Sequence, residues 1–472
     1  MNRPEPASAL AAGTSASGDT GAAPRVGLVL LLSSAATFLA VLDTTVVNIA
    51  FPDLHRSFTN ASVALLTWVV TAYAVPFAAL LAPAGRVADV VGRRLLFLGS
   101  VGLFAVASAL CAAAANLPTL IGARALQGAA AAGMMPAALS LVLALVPPAQ
   151  RMTSIGLVGA AGSVAAAVGP TLGGLLVDAW GWRSVFLINL PLGLLILLGA
   201  LLGLPRDVRS GESLPDPIGV LGITCGVGCV ALGVTQGSDW GWRSVSVLGL
   251  IGIGLPLTVV SLARARRHPA PAIDVTLWRN RTFTATNVTA FFFGAAMYAY
   301  LLSAILYLTV VWQYSEIKAG LAVTPGAFTA AVAALAVGRL VPSGRQWIAT
   351  VLGALVFAAS VAGMYLLLGD SPAFLAVWLP AGLVGGVGIG ATLTGLSVVA
   401  SVSLPPHRFA AGSGLLMAAR QVGGAVGIAG LGAILAAGHG MTTGGLLSVF
   451  LACAICGSVA ALSALFLRPR RQ

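Results

Sequence analysis

The chain has 472 residues, of which 58% are hydrophobic and only 8% are charged, and its mean hydropathy is +0.99. Soluble domains carry about 25% charged residues, so the composition excludes a soluble enzyme and predicts an integral membrane protein. A net charge of +12 would suggest nucleic-acid binding in a soluble protein. Here the basic residues stand in short segments between apolar runs, and we therefore expect a membrane topology signal and no nucleic-acid partner.

In chain order, residues 1–25 are polar and rich in Ala, Gly, Ser and Pro, which predicts a disordered tail and not a cleaved signal peptide. Fourteen apolar runs long enough to cross a bilayer follow, and a basic tail at 468–472 ends the chain. The runs lie near 26–50, 62–84, 95–115, 118–146, 153–177, 184–204, 216–235, 244–263, 283–312, 319–341, 346–368, 372–400, 409–436 and 443–467. This series predicts an all-α polytopic membrane protein.

The distribution of basic residues predicts the orientation in the membrane. An even number of spans places both termini on one side. Nineteen of the 25 Lys and Arg residues fall on that side and four fall on the other, which is the bias typical of cytoplasmic loops. We therefore expect both termini in the cytoplasm of a multi-pass plasma-membrane protein. Arg124 and Arg420 are the two basic residues left inside predicted spans.

Short repeated turns indicate an internal duplication. The turns after runs 2 and 10 each contain two Gly-Arg pairs, and the turns after runs 4 and 12 each contain Pro-Pro followed by Arg. Both matches relate run n to run n + 8. They predict two six-helix halves at 26–204 and 282–467, with a linker at 205–281 that carries two inserted spans and a basic cytoplasmic loop. Duplicated halves that face each other are common in transporters, with the substrate site at the midplane between them.

Of the 13 acidic residues, only Asp43 lies well inside a long apolar run. A charged side chain at mid-helix costs roughly 2.5–3.5 kcal/mol on insertion scales, so its presence predicts a function. Asp43 in run 1 and Arg124 in run 4 lie roughly 10 Å and 9 Å from the outer ends of their runs at 1.5 Å per residue, which makes a direct or water-bridged pair feasible. A static ion pair that only stabilises the bundle is the alternative.

Polar residues near this pair are candidates for a substrate cavity. Thr44 and Asn48 share a helical face, whereas Asp43 is turned by about 100° from Thr44 towards small residues typical of a helix–helix contact. Whether Asp43 faces the substrate or only a neighbouring helix is therefore open. Gln127 lies on the same face of its helix as Arg124 and is a further cavity candidate.

The second half supplies three more cavity candidates. Arg420 and Gln421 stand inside run 13, and no acidic partner for Arg420 is obvious in that half. The guanidinium would contact an anionic group of the substrate or backbone carbonyls. Run 9 is rich in aromatic residues, of which Tyr298 is assigned to the cavity, with lipid-facing or packing rings as the alternative.

Five motifs together resemble those of a known family. They are LDTTVVN at 42–48, GRVADVVGRR at 85–94, RALQG at 124–128, GPTLGG at 169–174 and WRSVFLINLPLG at 182–193. In combination they are similar to the major facilitator superfamily, in its fourteen-helix drug/proton antiporter branch, over about residues 26–467. The resemblance implies a fold of two six-helix halves with two inserted helices.

The resemblance also assigns roles to residues. The turn after run 2 would act as a conformational latch between the halves, through Gly85, Asp89, Gly92 and Arg93. Position 90 is Val where the family usually has a basic residue, which would weaken that latch. An ordinary basic loop with a helix cap is the alternative.

Two further roles follow from the resemblance. Arg124 would couple proton and substrate movement together with Asp43. The pattern in run 5 would mark an exporter that exchanges drug for proton, and it consists of Gly169, Pro170, Gly173 and Gly174. Proline kinks a helix and small residues allow close packing, so any tightly packed kinked helix is the alternative.

These observations predict a proton-coupled antiporter that exports amphipathic small molecules, such as drugs, antibiotics or a self-made natural product, by alternating access. The sequence shows no Walker loop and no metal-binding cluster, so we expect no cofactor and a proton gradient as the energy source. We expect a monomer in the lipid bilayer that binds a small-molecule substrate and protons. A symporter or facilitator that imports a metabolite, and a membrane scaffold that transports nothing, are the alternatives.

Overall fold

The computed structural model describes residues 26–58, 63–206, 214–435 and 441–468. Within these residues no strand occurs, and fourteen helical segments are long and apolar enough to cross a membrane, which confirms the predicted all-α fold. The main helices are α1 Val26–Ile49, α2 Val63–Val91, α3 Arg93–Ala112, α4 Leu117–Leu145, α5 Arg151–Trp180, α6 Asn189–Gly203, α7 Pro217–Thr235, α8 Val245–Ala265, α9 Arg281–Leu306, α10 Glu316–Leu340, α11 Gln346–Leu367, α12 Leu379–Val402, α13 Phe409–Ile434 and α14 Thr443–Ala464. The predicted N-terminal tail and residues 469–472 lie outside the described residues.

Consecutive spans alternate in direction, so the connections fall at two ends of the bundle. We call the end that holds the α2–α3 turn the inner end, and the end that holds the α1–α2 connection the outer end. Side-chain caps fix the start of several helices, because the first backbone N–H groups of a helix have no partner within it. The capping residues are Asn116, Asp216, Ser244, Asn280, Ser315 and Thr442.

Each half has a buried apolar core of its own. Helices α1–α6 contribute two clusters, around Phe104 and Phe186, and helices α9–α14 contribute one around Phe357. A further cluster, which contains Leu139 and Phe409, draws residues from both halves. The residue limits given above for the halves and the linker stay predictions.

Two antiparallel helix pairs join the halves. Helix α5 packs on α10 along most of its length, since Thr153 Oγ1 donates to Gly338 O at 3.1 Å near one end and Thr324 Oγ1 donates to Ala167 O at 3.3 Å towards the other. Helix α2 packs on α13 in the same way. A Cβ atom at Gly156 would lie 2.5 Å from the backbone of α10, so the close approach of α5 to α10 requires glycine there.

The two inserted helices lie beside the second of these pairs. Helices α7 and α8 pack on each other, and α7 contacts both α2 and α13. At the inner end of the inserted pair, Arg264 donates to Asp216 from Nε at 2.5 Å and from Nη2 at 3.1 Å. This hydrogen bonding holds the pKa of Asp216 below its usual range. The inserted pair is therefore clamped by an ion pair at the inner end.

Candidate functional site

Asp43 contacts three hydrogen-bond donors inside the first half. The side chain is buried, and its Oδ2 accepts a hydrogen bond from Arg124 Nη1 at 2.6 Å. Its Oδ1 accepts from Gln127 Nε2 and from Asn189 Nδ2, each at 2.8 Å. The predicted contact between Asp43 and Arg124 is therefore direct, and two amides complete the shell around the carboxylate.

The guanidinium of Arg124 is also well supplied with partners. Its Nε donates to Val69 O at 3.0 Å, and Nη1 donates to Gln127 Oε1 at 2.8 Å. The guanidinium carbon lies 4.4 Å from the centre of the Tyr73 ring, which is the geometry of a cation–π contact. A buried ion pair is tolerated when such further bonds satisfy its remaining donors and acceptors, and here Nε and Nη1 of Arg124 and both oxygens of Asp43 are hydrogen-bonded.

Ser108 of α3 completes the cluster, since its Oγ accepts from Gln127 Nε2 at 2.7 Å and lies 3.3 Å from Asn189 Nδ2. We call the five residues Asp43, Ser108, Arg124, Gln127 and Asn189 the carboxylate cage. Each of them has at most 1% of its surface exposed. The cage lies among α1, α3, α4 and α6, so it belongs to the interior of the first half.

The carboxylate of Asp43 faces neighbouring helices of the first half. The carboxylate lies in a seam between α1, α4 and α6. Gln127, a cavity candidate from the sequence, is fully buried against it. Thr44 is half-buried, and its Oγ1 donates to Val41 O of its own helix at 2.7 Å. The side chain of Asn48 lies outside the described part of the structure.

The polar residues of the second half form a separate group on α9 and α13. Tyr298 donates its hydroxyl to Gln421 Oε1 at 2.5 Å. Arg420 is adjacent in sequence and half-buried, and its Nε is buried without a hydrogen-bond partner among the described residues. The structure thus joins Tyr298 to Gln421 and leaves Nε of Arg420 without a hydrogen-bond partner in the described part of the chain.

The predicted latch residues connect the two halves at the inner end. Asp89 accepts from the backbone N–H groups of Ala410 and Ala411 at 3.3 and 2.8 Å, and from Arg93 Nη2 at 3.3 Å. These backbone groups start α13, where the helix dipole favours an anion. A Cβ atom at Gly85 would lie 2.3 Å from Ala410 O.

Gly92 ends the α2–α3 turn of the latch with a φ of +120°, a conformation that other residues adopt only with strain. From the sequence, the Asp89 carboxylate can cap a helix N-terminus or pair with Arg93 or with an arginine across the interface. In the structure it pairs with Arg93 and also accepts from the first backbone N–H groups of α13.

The glycines of the α5 pattern differ in their surroundings. A Cβ atom at Gly169 would lie 2.0 Å from Thr45 Oγ1 of α1, and one at Gly173 would lie 3.1 Å from Val46 Cγ1. Around Gly174 nothing lies within 4 Å of such an atom. The pattern therefore seats α1 closely on α5 through two of its three glycines.

Pro170, the remaining member of the α5 pattern, faces the second half. A Cβ atom at Gly320 of α10 would lie 3.0 Å from Pro170 Cβ. Helix α5 thus contacts α1 on one side and α10 on the other within the same turn. The cage side of the first half and the interface between the halves are consequently joined by one helix.

Two cage members escaped the sequence-based assignment. Asn189 stands in one of the quoted motifs but received no role, although a carboxamide among apolar residues is the same signal that identified Asp43. Ser108 gives no comparable signal, because serine is common in tightly packed membrane helices.

Comparison with known proteins identifies the kind of protein that this chain resembles. The profile of the Major Facilitator Superfamily matches residues 34–428. The multidrug resistance protein Stp of Mycobacterium tuberculosis is 33% identical over 87% of this chain and 76% of its own length. The probable actinorhodin transporter of Streptomyces coelicolor is 34% identical over 84% of this chain and 70% of its own length. The puromycin resistance protein pur8 of Streptomyces alboniger is 37% identical over 85% of this chain and 80% of its own length.

Solved structures show the same fold at lower sequence identity. The human organic anion transporter MFSD10 (TETRAN) superposes with a TM-score of 0.70 at 16% identity, over 93% of this chain and 100% of that structure. The transporter FucP in its outward conformation gives a TM-score of 0.58 at 15% identity, over 94% of this chain and 99% of that structure. At these identities the likeness concerns the fold alone.

Proposed function

The chain belongs to the major facilitator superfamily, and we propose that it is a proton-coupled antiporter that exports amphipathic small molecules by alternating access. It is a multi-pass membrane transporter and not an enzyme. Relatives that cover most of the chain are named for multidrug resistance, for puromycin resistance or for actinorhodin transport, and this supports export over uptake. The substrate would be a drug, an antibiotic or a natural product made by the same cell.

The observation that carries the proton-coupling part of the proposal is the carboxylate cage. Burial favours the neutral form of an acid, whereas a neighbouring guanidinium and hydrogen-bond donors favour the carboxylate. In the described conformation Asp43 has Arg124 and two amides as partners, an environment suited to the ionised form. A movement of α1 relative to α4 and α6 would remove donors and favour uptake of a proton.

The substrate would bind between the halves, where Thr44, Asn48, Tyr298, Arg420 and Gln421 are the proposed contacts. The Nε group of Arg420, which has no hydrogen-bond partner among the described residues, and the Tyr298–Gln421 pair support the second half of this site. Arginine binds acidic and carbonyl oxygens through several N–H groups at once. Substrate and proton would therefore occupy different places, with the proton on Asp43.

The latch would govern access from one side. We propose that the inner end is cytoplasmic, as the positive-inside bias predicts, and that both termini lie there. The bonds from Asp89 to the start of α13 then hold the cytoplasmic side closed. Opening would require these bonds to break while the outer end closes. The protein would work as a monomer without a cofactor, driven by the proton gradient.

The test compares Asp43→Asn with the wild type in inside-out membrane vesicles. We expect the wild type to accumulate puromycin or ethidium when the vesicle interior is acidified. Asp43→Asn should lose this gradient-driven accumulation and keep exchange of substrate across the membrane without a gradient. Asp178→Asn is the matched control, because Asp178 is an exposed acid near the outer end of α5.

Three outcomes would contradict the proposal. Full gradient-driven transport by Asp43→Asn would remove Asp43 from proton coupling. Gradient-driven accumulation only in right-side-out vesicles would favour the importing symporter. Absence of any substrate or proton flux in the wild type would favour a scaffold that transports nothing.

A further inference from the structure

The amide oxygen of Asn189 accepts no hydrogen bond from any member of the cage. Its Nδ2 donates to Asp43 Oδ1 at 2.8 Å and lies 3.3 Å from Ser108 Oγ. Its Oδ1 is buried and has no hydrogen-bond partner among the described residues. Buried acceptors without a partner are costly and uncommon in proteins, so this oxygen requires an explanation.

The other amide of the cage is held in place on both sides. Gln127 Oε1 accepts from Arg124 Nη1 at 2.8 Å, and Cys111 Sγ lies 3.6 Å from the same oxygen. Its Nε2 donates to Asp43 and to Ser108. Reversing this amide would point its N–H groups at the guanidinium, where two donors would face each other. Of the two amides, only that of Asn189 is free to reverse.

Protonation of Asp43 changes what the acid needs from its neighbours. An ionised carboxylate only accepts hydrogen bonds, whereas a protonated acid also carries an O–H that must donate. Arg124 has no acceptor to offer, and the oxygen of Gln127 is already bonded to Arg124. Within the cage, Asn189 Oδ1 is therefore the acceptor that can bind the O–H of protonated Asp43.

We propose that the amide of Asn189 reverses when Asp43 takes up a proton. While Asp43 is ionised, Asn189 Nδ2 donates to the carboxylate. When Asp43 is protonated, Asn189 Oδ1 accepts a hydrogen bond from the O–H of the acid. The reversal is a half-turn about the Cβ–Cγ bond, which places Oδ1 where Nδ2 lies. Ser108 can follow it, because a hydroxyl either accepts from Nδ2 or donates to Oδ1. Asn189 is thus a positioning residue at the start of α6 that follows the proton state of α1. The inference rests on the proposed role of Asp43 as proton carrier.

Among the groups around Asp43, the acid itself is the one that can take up a proton on acidification. Arg124 of α4 already carries its proton. Tyr73 of α2 lies against Arg124 and Cys111 of α3 lies against Gln127, and a phenol and a thiol are neutral below about pH 8. A proton added to this group would therefore go to Asp43.

The experiment is infrared difference spectroscopy of the full-length protein in lipid vesicles, between about pH 8 and about pH 5. The wild type should gain a carboxyl C=O band that Asp43→Asn lacks. Together with it, a side-chain amide C=O band should move to lower frequency, because the unused oxygen of Asn189 begins to accept a hydrogen bond. This amide shift should disappear in Asn189→Leu and in Asp43→Asn.

Gln346→Leu is the matched control for the amide band. Gln346 is fully buried at the start of α11, its Nε2 donates to Val341 O at 2.7 Å, and its Oε1 also lacks a partner among the described residues. It therefore resembles Asn189 in all but the neighbouring acid. The pH-dependent amide shift should persist in this variant.

The wild-type spectrum shows whether a carboxyl band and an amide band change together, and the variants assign these bands to Asp43 and Asn189. A carboxyl band without any shift of an amide band would overturn the role of Asn189 and leave Asp43 as the proton carrier. An amide shift that persists in Asn189→Leu would also overturn it. Absence of any pH-dependent carboxyl band from Asp43 would count against the proposed proton coupling itself.

Discussion

The two ends of the buried ion pair should respond differently to substitution, because only one of them can change its charge. Arg124 keeps its proton at every accessible pH, so Asp43→Asn leaves a buried cation without a counter-charge. Arg124→Met leaves Asp43, which can take up a proton and become neutral. The methionine side chain would fill much of the space that the arginine stem occupies.

The structure sets the expected size of each effect. Removing one partner of a buried pair destabilises a protein by about 3–5 kcal/mol. Asp43→Asn should lower the free energy of unfolding by about 3 kcal/mol, at the lower end of this range. The introduced amide oxygen can still accept from Arg124 Nη1, and the ring of Tyr73 remains 4.4 Å from the guanidinium. Arg124→Met should lower the free energy of unfolding by less than about 2 kcal/mol at pH 5 and by more at pH 9, since keeping the stranded acid protonated costs about 1.4 kcal/mol for each pH unit above the ordinary pKa of an aspartic acid. A buried acid that favours its protonated form stabilises the fold at low pH and loses that contribution as the pH rises.

The assay is the free energy of unfolding of the purified protein in mixed detergent micelles, measured at both pH values. The double variant Asp43→Asn with Arg124→Met should recover much of the loss, because it strands no charge. Asp178→Asn should match the wild type at both pH values. The reasoning is refuted if Asp43→Asn is as stable as the wild type, or if Arg124→Met shows no additional dependence on pH.

Three other substitutions test the helix contacts and the substrate site. Gly85→Ala adds a methyl carbon that would lie 2.3 Å from the α13 backbone, so the distance between spin labels across the inner end should increase. Gly99→Ala should leave this distance unchanged, because nothing lies within 4 Å of the added carbon. Gly169→Ala forces α1 from α5 at a cost of about 1–3 kcal/mol and should slow substrate export at least about tenfold, whereas export by Gly174→Ala should stay at the wild-type rate. Arg420→Gln removes a charged donor worth about 1.5–3 kcal/mol and should weaken competition by an acidic compound at least about tenfold, with competition by its uncharged ester unchanged. Equal results for the two members of a glycine pair, or for acid and ester, would contradict the respective interpretation.

Sequence patterns that depend on length and depth predicted the structure well. The apolar runs are long enough to define fourteen spans on their own, and the structure contains fourteen within the described residues. The comparison of depths made a direct or water-bridged pair of Asp43 and Arg124 feasible, because the rise of a helix is fixed at 1.5 Å per residue. In the structure the pair is direct, with 2.6 Å between Arg124 Nη1 and Asp43 Oδ2.

The sequence did not predict which neighbouring helix each side chain faces, nor which backbone groups a side chain contacts. Gln127 was assigned to the cavity from its helical face, but that face is shared by the cage, and neighbouring helices decide which of the two it meets. For Asp89 the sequence indicated a helix N-terminal cap but not which helix it caps, because a backbone donor is present in almost every residue. In the structure that helix is α13. Asn189 joins the cage from the first residue of α6, at a position that no periodic pattern singles out.

The position of the cage explains how a proton inside one half can influence the contact between both. Asp43 lies on α1 two residues before Thr45, and Thr45 faces Gly169 of α5, where even one added carbon atom would collide. One residue further along α5, Pro170 contacts α10 of the other half. In the proposed mechanism α1 shifts when Asp43 loses its charge, and at Gly169 the α1–α5 contact leaves no space to absorb such a shift, so α5 would move with α1. Coupling between two sites requires an element whose arrangement both sites influence, and we propose α5 as that element, since it contacts the cage helix on one side and the opposite half on the other.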